Sequence, residues 1–283
     1  MLFTDQHRLS FEFYPPKTDQ GFKNLAAARK TLASFSPEFF SVTYGAGGST
    51  RENTKNVVLS GIEDGYAVAP HLSFGGDSKE SIATLIQAYI DSGVRRIVAL
   101  RGDLPSGYGD GSRLVHASEL VEFIREQFSG QLQIEVAAYP EIHPEASSYD
   151  DDIGFLKHKF DCGADNAITQ YFYNLDAYKY FLEVCDKKGI RHPVYPGVMP
   201  ITNLDNLERF SKNCGAEIPR WLSHRVRSLA QPQDVLEFTT DFMAGFCEKL
   251  LDMGAPGLHF YTMNQIEPSA SICRKLGIVE KNT

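Results

Sequence analysis

The sequence predicts an α/β protein built as a single (βα)8 barrel, a TIM barrel, with an extra helical segment between strands 7 and 8. Strand-like and helix-like segments alternate eight times along 283 residues, which matches such a barrel in number and length. No composition shift divides the chain, so we expect one domain over residues 1–283. A doubly wound open sheet would place a nucleotide loop after its first strand, whereas here that strand runs into Pro15 and Pro16.

The predicted strands are short apolar runs that stop at Gly, Pro or charged residues. They cover residues 9–14, 39–44, 66–72, 96–100, 134–139, 166–172, 194–200 and 258–262. The segments between them carry apolar residues at helical spacing, as Ile82, Leu85, Ile86 and Tyr89 show. We expect helices near 20–35, 51–63, 78–92, 117–128, 150–161, 175–188, 203–213, 219–228, 233–253 and 268–276.

Composition excludes several classes of protein. A net charge of −8 argues against broad nucleic-acid binding, which needs a basic surface. No apolar run approaches the ~20 residues of a membrane span, and Met1–Ser10 lacks the apolar core of a secretory signal. Five cysteines without a C-x-x-C pair argue against a disulfide framework or structural zinc, and they favour a cytoplasmic protein.

Polar and ionisable residues stand at the ends of six or more of the predicted strands. Because (βα)8 barrels hold their active sites at the carboxyl ends of the strands, these residues define a candidate site. The alternative, that strand ends are polar because they meet water, accounts for any single one of them. The candidates are Glu12, Thr43, Tyr44, His71, Arg101, Asp103, Tyr139, Glu141, His143, Gln170, Thr262 and Asn264.

Two carboxylates stand out among these candidates. Glu12 lies between Phe11 and Phe13 inside a strand, where desolvating a carboxylate is costly unless it has a partner or a task. Burial would raise its pKa and keep a proton available near neutrality. Asp103 comes shortly after the predicted strand 96–100, and it is either a functional carboxylate or a loop acid that caps the next turn.

The remaining motifs favour an organic ligand over a metal. The sequence has no H-E-x-x-H and no H-x-H on strand 1, so hydrogen-bonding or core roles are expected for His71 and His143. The Gly-rich loops at 45–48 and 107–111 are turns or phosphate cradles, but they are not Walker or Rossmann motifs. Aromatic residues around the mouth suit a large planar ligand, and they are Tyr44, Tyr139, Tyr171 and Phe172. A site without a strong nucleophile, metal or Schiff-base lysine often depends on an organic cofactor.

A set of motifs, in order along residues 9 to 278, resembles the bacterial type of methylenetetrahydrofolate reductase. These motifs are Ser10–Pro16 (SFEFYPP), Ser41–Ala46 (SVTYGA), Ala69–Leu72 (APHL), Ala99–Pro105 (ALRGDLP), Ala138–Glu145 (AYPEIHPE), Ala167–Gln170 (AITQ), Pro196–Pro200 (PGVMP) and His259–Asn264 (HFYTMN). The resemblance implies a TIM barrel that holds FAD and works in one-carbon metabolism and methionine supply. It further implies a ping-pong reaction, in which NADH or NADPH reduces the flavin and the flavin then reduces methylenetetrahydrofolate to methyltetrahydrofolate.

The resemblance also assigns roles to individual positions. Glu12 matches the general acid that opens the folate ring, and Asp103 matches a carboxylate that meets the pterin and tunes the flavin. Gln170 matches an amide shared by nicotinamide and folate, Phe210 an aromatic that stacks on either substrate, and Thr43 a nucleotide contact. The positions that match FAD contacts are Tyr44, Ala46, His71, Arg101, Gly102, Asp103, Ala117, Tyr139, His143, Ala146, Asp152 and Lys159.

Two positions depart from the enteric pattern. Gln265 replaces an Arg and Asn206 replaces a Gln, and both normally help to hold folate, so affinity for its anionic glutamate tail is expected to differ. The resemblance also implies a homo-oligomer, and a chain of 283 residues implies no C-terminal regulatory domain. Two alternatives remain open: a flavin-free barrel that binds a pterin and transfers a group, and an FAD-binding subunit that needs a partner for electron input.

Overall fold

A computed structural model describes residues 3–44, 48–74, 77–101 and 116–281, with the side chains of residues 48–50 excepted. Its strands are β1 (Arg8–Phe13), β2 (Phe39–Val42), β3 (Val68–Leu72), β4 (Arg96–Ala99), β5 (Gln133–Ala138), β6 (Asn166–Thr169), β7 (Val194–Tyr195), β8 (Gly197–Val198) and β9 (Gly257–Tyr261). Its helices are α1 (Asp19–Ala33), α2 (Gly48–Glu63), α3 (Lys79–Asp91), α4 (Ala117–Phe128), α5 (Tyr149–Asp161), α6 (Leu175–Lys187), α7 (Leu204–Cys214), α8 (Arg220–Arg227), α9 (Pro232–Asp252) and α10 (Ser269–Lys275).

The helices begin where the sequence offers a capping side chain. At five helices a Ser, Thr or Asn oxygen accepts a hydrogen bond from a backbone N–H of the first turn, which satisfies a donor that the helix itself leaves unpaired. These caps are Thr18, Ser78, Ser148, Asn174 and Asn203. Helix α9 instead begins with Pro232, whose missing N–H is not needed there.

All strand pairs in the described part of the sheet are parallel, and the sheet closes through the seventh barrel strand. The predicted strand 194–200 is interrupted at Pro196, which has no N–H to donate. Its first half, β7, pairs with β6, and its second half, β8, pairs with β9. A Cβ at Gly197 would lie 2.2 Å from the carbonyl oxygen of Thr169, so glycine permits this close approach. The predicted (βα)8 barrel with extra helices after its seventh strand is confirmed.

Strand alternation explains why Glu12 lies between two phenylalanines. Phe11 and Phe13 are buried in the large core between strands and helices, whereas Glu12 lines a cavity at the barrel mouth. A separate apolar cluster is formed by alternate-face residues of four strands, namely Phe39, Ala69, Val98 and Ile168. The barrel interior is therefore layered, with this apolar layer below Glu12.

Ionic side chains lie at the opposite, amino-terminal end of the strands. Arg96 forms an ion pair with the fully buried Glu135, and its other nitrogen lies 2.6 Å from Glu38. Arg8 also reaches Glu38, at 2.6 Å. We call Arg8, Glu38, Arg96 and Glu135 the lower network. Among the helices in the described ranges, none has the length and apolar character to cross a bilayer.

Candidate active site

A cavity of about 480 Å³ opens at the carboxyl ends of the strands. Polar groups contributed by different strands line it, and these are Glu12, Thr43, Tyr44, His71, Tyr139, Gln170 and Tyr261. Apolar side chains form the rest of its wall, including Val98, Leu100, Ile168 and Met199. The structure thus brings seven predicted site residues to one cavity. They are Glu12, Thr43, Tyr44, His71, Tyr139, Gln170 and, from α7, Phe210.

Glu12 is the centre of a polar group that we call the Glu12 cluster. One of its oxygens, Oε2, lies 3.2 Å from His71 Nε2 and 3.4 Å from His259 Nε2. Ser41 Oγ donates a hydrogen bond to the same oxygen over 3.3 Å. Ser10 Oγ lies 2.7 Å from His259 Nδ1 and completes the cluster. The Glu12 side chain keeps 15% of its surface exposed, so the carboxylate meets the cavity.

The structure corrects the expected ionisation of Glu12. Burial raises the pKa of Glu12, but the electrostatic attraction of His71 and the hydrogen bonds with His259 and His71 outweigh it and lower that pKa from 4.5 to about 2. The prediction that burial alone keeps this carboxyl protonated near neutrality was therefore wrong. In the site as it stands, Glu12 is a carboxylate held between two imidazoles.

Among the residues that the structure describes, two buried polar atoms beside the cavity have no partner with full hydrogen-bond geometry, namely Tyr44 Oη and His71 Nε2. His71 Nε2 is at ion-pair distance from Glu12 without the geometry of a hydrogen bond. Buried polar atoms are normally satisfied, so unsatisfied atoms that line a cavity indicate groups ready for a ligand. Burial raises the pKa of Tyr44, and the Arg51 guanidinium lies 5.4 Å from the centre of its ring.

Helix α7 forms one side of the cavity through Phe210, whose exposed fraction is 36%. The helix is attached to the strand 6 side by hydrogen bonds, because Tyr171 Oη lies 3.1 Å from Ser211 Oγ and Cys214 Sγ donates to Tyr171 Oη over 3.3 Å. Gln170 follows β6, and its Oε1 accepts a hydrogen bond from the N–H of Tyr171. The Phe210 ring, on a helix held by these hydrogen bonds, and the Gln170 amide, at a strand end, therefore face the same cavity.

A second group of predicted residues lies along the segment from β5 to α5. The His143 N–H donates to Asp152 Oδ2 over 2.9 Å, and the His143 ring meets the Tyr139 ring edge-on at 4.5 Å. Burial lowers the pKa of Lys159 to about 8, although Asp152 acts in the opposite direction. Burial likewise lowers the pKa of His143. A partly buried ammonium with a depressed pKa favours an anionic ligand, because the anion would stabilise its charge.

Other predicted residues lie away from the cavity or outside the described residues. Gln265 lines a separate cleft of about 570 Å³ together with Asn203 and Arg227. Asn206 is exposed on α7, Ala117 is the first residue of α4, and Ala146 follows His143 in a turn closed by a 2.9 Å hydrogen bond. Arg101 pairs with Glu145 at 2.5 Å. The predicted residues Ala46, Gly102 and Asp103 lie outside the described residues.

One aromatic residue that was predicted at the barrel mouth lies elsewhere, and several neighbours of Glu12 were not predicted. Phe172 is not at the mouth, since it is 1% exposed and stacks on Tyr178 in the outer core. Sequence reasoning also missed Ser10, Ser41, His259 and Tyr261 as inward-facing neighbours of Glu12. Their signal is strand alternation, because Ser10 is two residues before Glu12 and Ser10 pairs with His259 in the β1–β9 register.

One group of potential metal ligands occurs in the ranges that the structure describes, formed by Glu122, His158 and Cys162 on α4, α5 and the residue after α5. It does not include His71 or His143 and lies outside the cavity lining. The five cysteines are free.

Fold and site together define a (βα)8 barrel of the enzyme type, with ionisable, amide and aromatic groups converging at the carboxyl ends of its strands. The sequence model of the methylenetetrahydrofolate reductase family matches residues 2–277. The 5,10-methylenetetrahydrofolate reductases of Pectobacterium carotovorum and Escherichia coli K12 are 38% and 37% identical, over 95% and 96% of this chain and 90% and 92% of theirs. The chain belongs to the methylenetetrahydrofolate reductase family, which confirms the resemblance.

One plant protein and two solved structures are also similar to this chain. Methylenetetrahydrofolate reductase (NADH) 1 of Arabidopsis thaliana is 32% identical over 98% of this chain, which spans 49% of that protein. A Clostridium thermocellum protein described as binding two copies of 5-methyl-5,6,7,8-tetrahydrofolic acid superposes with a TM-score of 0.64 at 19% identity, covering 96% of this chain and 95% of that one. Dihydropteroate synthase of Xanthomonas albilineans gives a TM-score of 0.52 at 12% identity, over 96% and 94%. These two structures support the barrel fold.

Proposed function

We propose that this chain reduces methylenetetrahydrofolate to methyltetrahydrofolate with NADH or NADPH and a bound FAD. The observation that carries the proposal is the Glu12 cluster, a buried carboxylate between two imidazoles at a cavity with aromatic and amide walls, in a member of this family. The names of the relatives from Pectobacterium and Escherichia coli support the same reaction. We further propose that residues 1–283 act as one catalytic barrel.

The residues around the cavity fit a flavin dinucleotide. Tyr44 Oη and His71 Nε2 are polar atoms beside apolar walls, and no described residue gives them a hydrogen bond of full geometry. They suit the polar edge of a large ring system, and the apolar walls suit its flat faces. Lys159 and Arg101 supply positive charge at the neighbouring strand ends, where a diphosphate would be stabilised. Asp103, Ala46 and Gly102 are proposed to join this set, with His143, Ala146, Asp152, Ala117 and Tyr139. Bound there, FAD would supply a two-electron carrier between the nucleotide and the folate.

The chain's own residues would bind the substrates and move a proton. Opening the methylene bridge of the folate requires a proton on the nitrogen that leaves, and among the described lining residues Glu12 is the carboxyl group placed to deliver it. Gln170 can donate and accept hydrogen bonds to the amide-like edge of a pterin or a nicotinamide. Phe210 can stack on either ring, and Thr43 faces the same space. Gln265 and Asn206 are proposed to contact the folate tail outside the cavity.

Anaerobic mixing of the purified chain tests this proposal. We expect the protein to carry a yellow flavin, NADH or NADPH to bleach it, and methylenetetrahydrofolate to restore the colour while methyltetrahydrofolate forms. A folded chain that binds a pterin but no flavin would contradict the proposal and favour a group transferase. A flavin that neither nucleotide bleaches, but that folate reoxidises after reduction by dithionite, would show that a partner subunit supplies the electrons.

A further inference from the structure

A thiol, an imidazole and a carboxylate meet on the outer surface of the barrel, at the contact between α4 and α5. Cys162 Sγ donates a hydrogen bond to Glu122 Oε1 over 3.1 Å, and it lies 3.8 and 3.7 Å from the two ring nitrogens of His158. One ligand atom from each residue lies within 4.8 Å of the other two. We call Glu122, His158 and Cys162 the outer triad. These residues are not part of the active-site cavity, so the reaction proposed above does not account for their placement.

Two packed helices bring the outer triad together. His158 and Cys162 are four residues apart, so they lie on the same face at the end of α5, and Glu122 comes from α4, which packs against α5. Arg125, one turn after Glu122, fixes this contact, because its Nε donates to the Gly163 carbonyl over 2.8 Å. Gly163 has a φ of +112°, and a Cβ there would lie 2.9 Å from Arg125 Cγ, so glycine permits the close approach. The backbone on both sides of the outer triad is therefore held in place without a ligand.

The separations within the outer triad are close to those between the ligands of a tetrahedral zinc ion. With a Zn–S distance of about 2.3 Å and Zn–N or Zn–O distances of about 2.0–2.1 Å, neighbouring ligand atoms lie roughly 3.3–3.6 Å apart. Here the sulfur lies 3.7 and 3.8 Å from the ring nitrogens and 3.1 Å from the carboxylate oxygen. Glu122 and His158 are exposed, so rotation of their side chains can close the remaining difference without moving the backbone.

The surroundings favour a cation that bonds to sulfur. Cys162 follows α5 directly and His158 is in its last turn, where the carbonyl end of the helix dipole attracts positive charge. Burial, helped by the carboxylates of Glu122 and Asp161, raises the pKa of the Cys162 thiol to about 11. A cation that forms strong bonds to sulfur displaces that proton, whereas magnesium and calcium prefer oxygen ligands. Zinc therefore suits this set of sulfur, nitrogen and oxygen atoms better than either of those ions.

We propose that the outer triad binds one zinc ion through the Cys162 sulfur, one ring nitrogen of His158 and a carboxylate oxygen of Glu122, with water as the fourth ligand. On binding, the sulfur releases its proton to water and forms a bond to the metal, and no electron is transferred. The bound ion links α4 to α5 on the outer surface of the barrel. This site does not depend on the flavin and folate reaction proposed above, so each proposal can fail without the other.

Titration of the purified full chain with Co²⁺ tests this proposal, because cobalt accepts the same ligands as zinc and is coloured when bound. After a chelator has removed bound metal, one equivalent of Co²⁺ should produce the visible bands of a tetrahedral ion and a cobalt–thiolate charge-transfer band. An excess of Zn²⁺ should remove both bands. Zn²⁺ alone should also slow the alkylation of Cys162 by iodoacetamide, measured by mass spectrometry of the peptide that contains it. A titration without a charge-transfer band, or an alkylation rate that Zn²⁺ leaves unchanged, would overturn the proposal.

Variants of the outer triad assign the ligands. Cys162→Ser should abolish the charge-transfer band, and His158→Gln and Glu122→Gln should each weaken Co²⁺ binding by at least about tenfold, which is the smallest usual effect of losing even a supporting residue of a metal site. These side chains are exposed or half-buried, so the fold should be retained.

Asp161→Asn is the matched control for the charge of the surface. This exposed acid is adjacent to Cys162 in the chain, but it pairs with Lys157 at 2.8 Å and is not a member of the outer triad. We expect its Co²⁺ affinity to stay close to that of the wild type. An equal loss of affinity in Asp161→Asn and Glu122→Gln would show attraction by surface charge alone, and a charge-transfer band that persists in Cys162→Ser would show binding at another thiol. Either result would overturn the proposal.

Discussion

In the part of the barrel that the structure describes, one fully buried carboxylate and one largely buried carboxylate have different kinds of partner. At the amino-terminal end of the strands, Glu135 is fully buried and pairs with the guanidinium of Arg96, which also reaches Glu38. At the carboxyl end, Glu12 is paired with the imidazoles of His71 and His259 and keeps a face toward the cavity. The apolar layer that contains Phe39 separates the two, since Phe39 stacks on His259 and on Arg96.

The difference lies in which partner can give up a proton. A guanidinium is not deprotonated in proteins, so the lower network is a fixed arrangement of charges that orients the strand ends. An imidazole gains and loses its proton near neutrality, so the Glu12 cluster can change its charge during a reaction. We therefore propose that the buried carboxylate at the amino-terminal end of the barrel has a structural role, and that the largely buried one at the carboxyl end takes part in proton transfer. The following predictions test that contrast.

The largest expected effect is on stability, from Arg96→Met in the lower network. Removing the guanidinium leaves the buried Glu135 without its cation, which should lower the free energy of unfolding by about 3–5 kcal/mol. Urea unfolding measures this change. The double variant Arg96→Met/Glu135→Met should recover part of the loss, because it no longer buries an unpaired charge. A single variant as stable as wild type would mean that the lower network is not a structural ion pair.

The next largest effect concerns rate, from Glu12→Gln. We expect the folate half-reaction to slow by about 10²- to 10⁴-fold, the usual contribution of a general acid, while NADH still reduces the flavin. Stopped-flow absorbance of the flavin resolves the two half-reactions. An equal loss of rate in both half-reactions would refute the proton-donor role. Glu12 would then have a structural role, like the carboxylates of the lower network.

A smaller effect is expected at Lys159, a partly buried cation that, unlike Arg96, can lose its proton. Because burial lowers its pKa to about 8, the affinity for FAD should weaken as the pH rises above that value. Lys159→Met should weaken FAD binding by about tenfold at neutral pH and remove the pH dependence. Fluorescence titration of FAD over a pH series measures both. An identical pH dependence in the variant would show that Lys159 does not neutralise the cofactor.

The fold was predictable because its signals are local. Each strand is an apolar run, and capping residues such as Ser78 and Asn203 mark where the helices begin. The seventh strand was predicted as one segment, whereas Pro196 divides it into halves that pair with different neighbours. Phe172 was placed at the mouth because it follows Tyr171 at a strand end, but alternation turns its ring into the outer core.

The sequence predicted which residues form the site, but it did not predict the ionisation of Glu12. Glu12, His71 and Gln170 follow from their places near the carboxyl ends of strands, and the structure gathers them at one cavity. The ionisation of Glu12 depends on His259, which is 247 residues away in the chain and reaches it through the pairing of β1 with β9. Composition and spacing do not specify that register, so burial alone predicted the wrong direction for the pKa of Glu12.

The most direct measurement is the protonation state of Glu12 in the ligand-free protein, by infrared difference spectroscopy over a pH series, with Glu12→Gln assigning the band. Because the two imidazoles lower the pKa of Glu12 to about 2, we predict a carboxylate band at neutral pH that persists down to strongly acid solution. A protonated carboxyl band at neutral pH that disappears in Glu12→Gln would contradict this account. It would mean that burial outweighs His71 and His259, and that Glu12 carries its own proton.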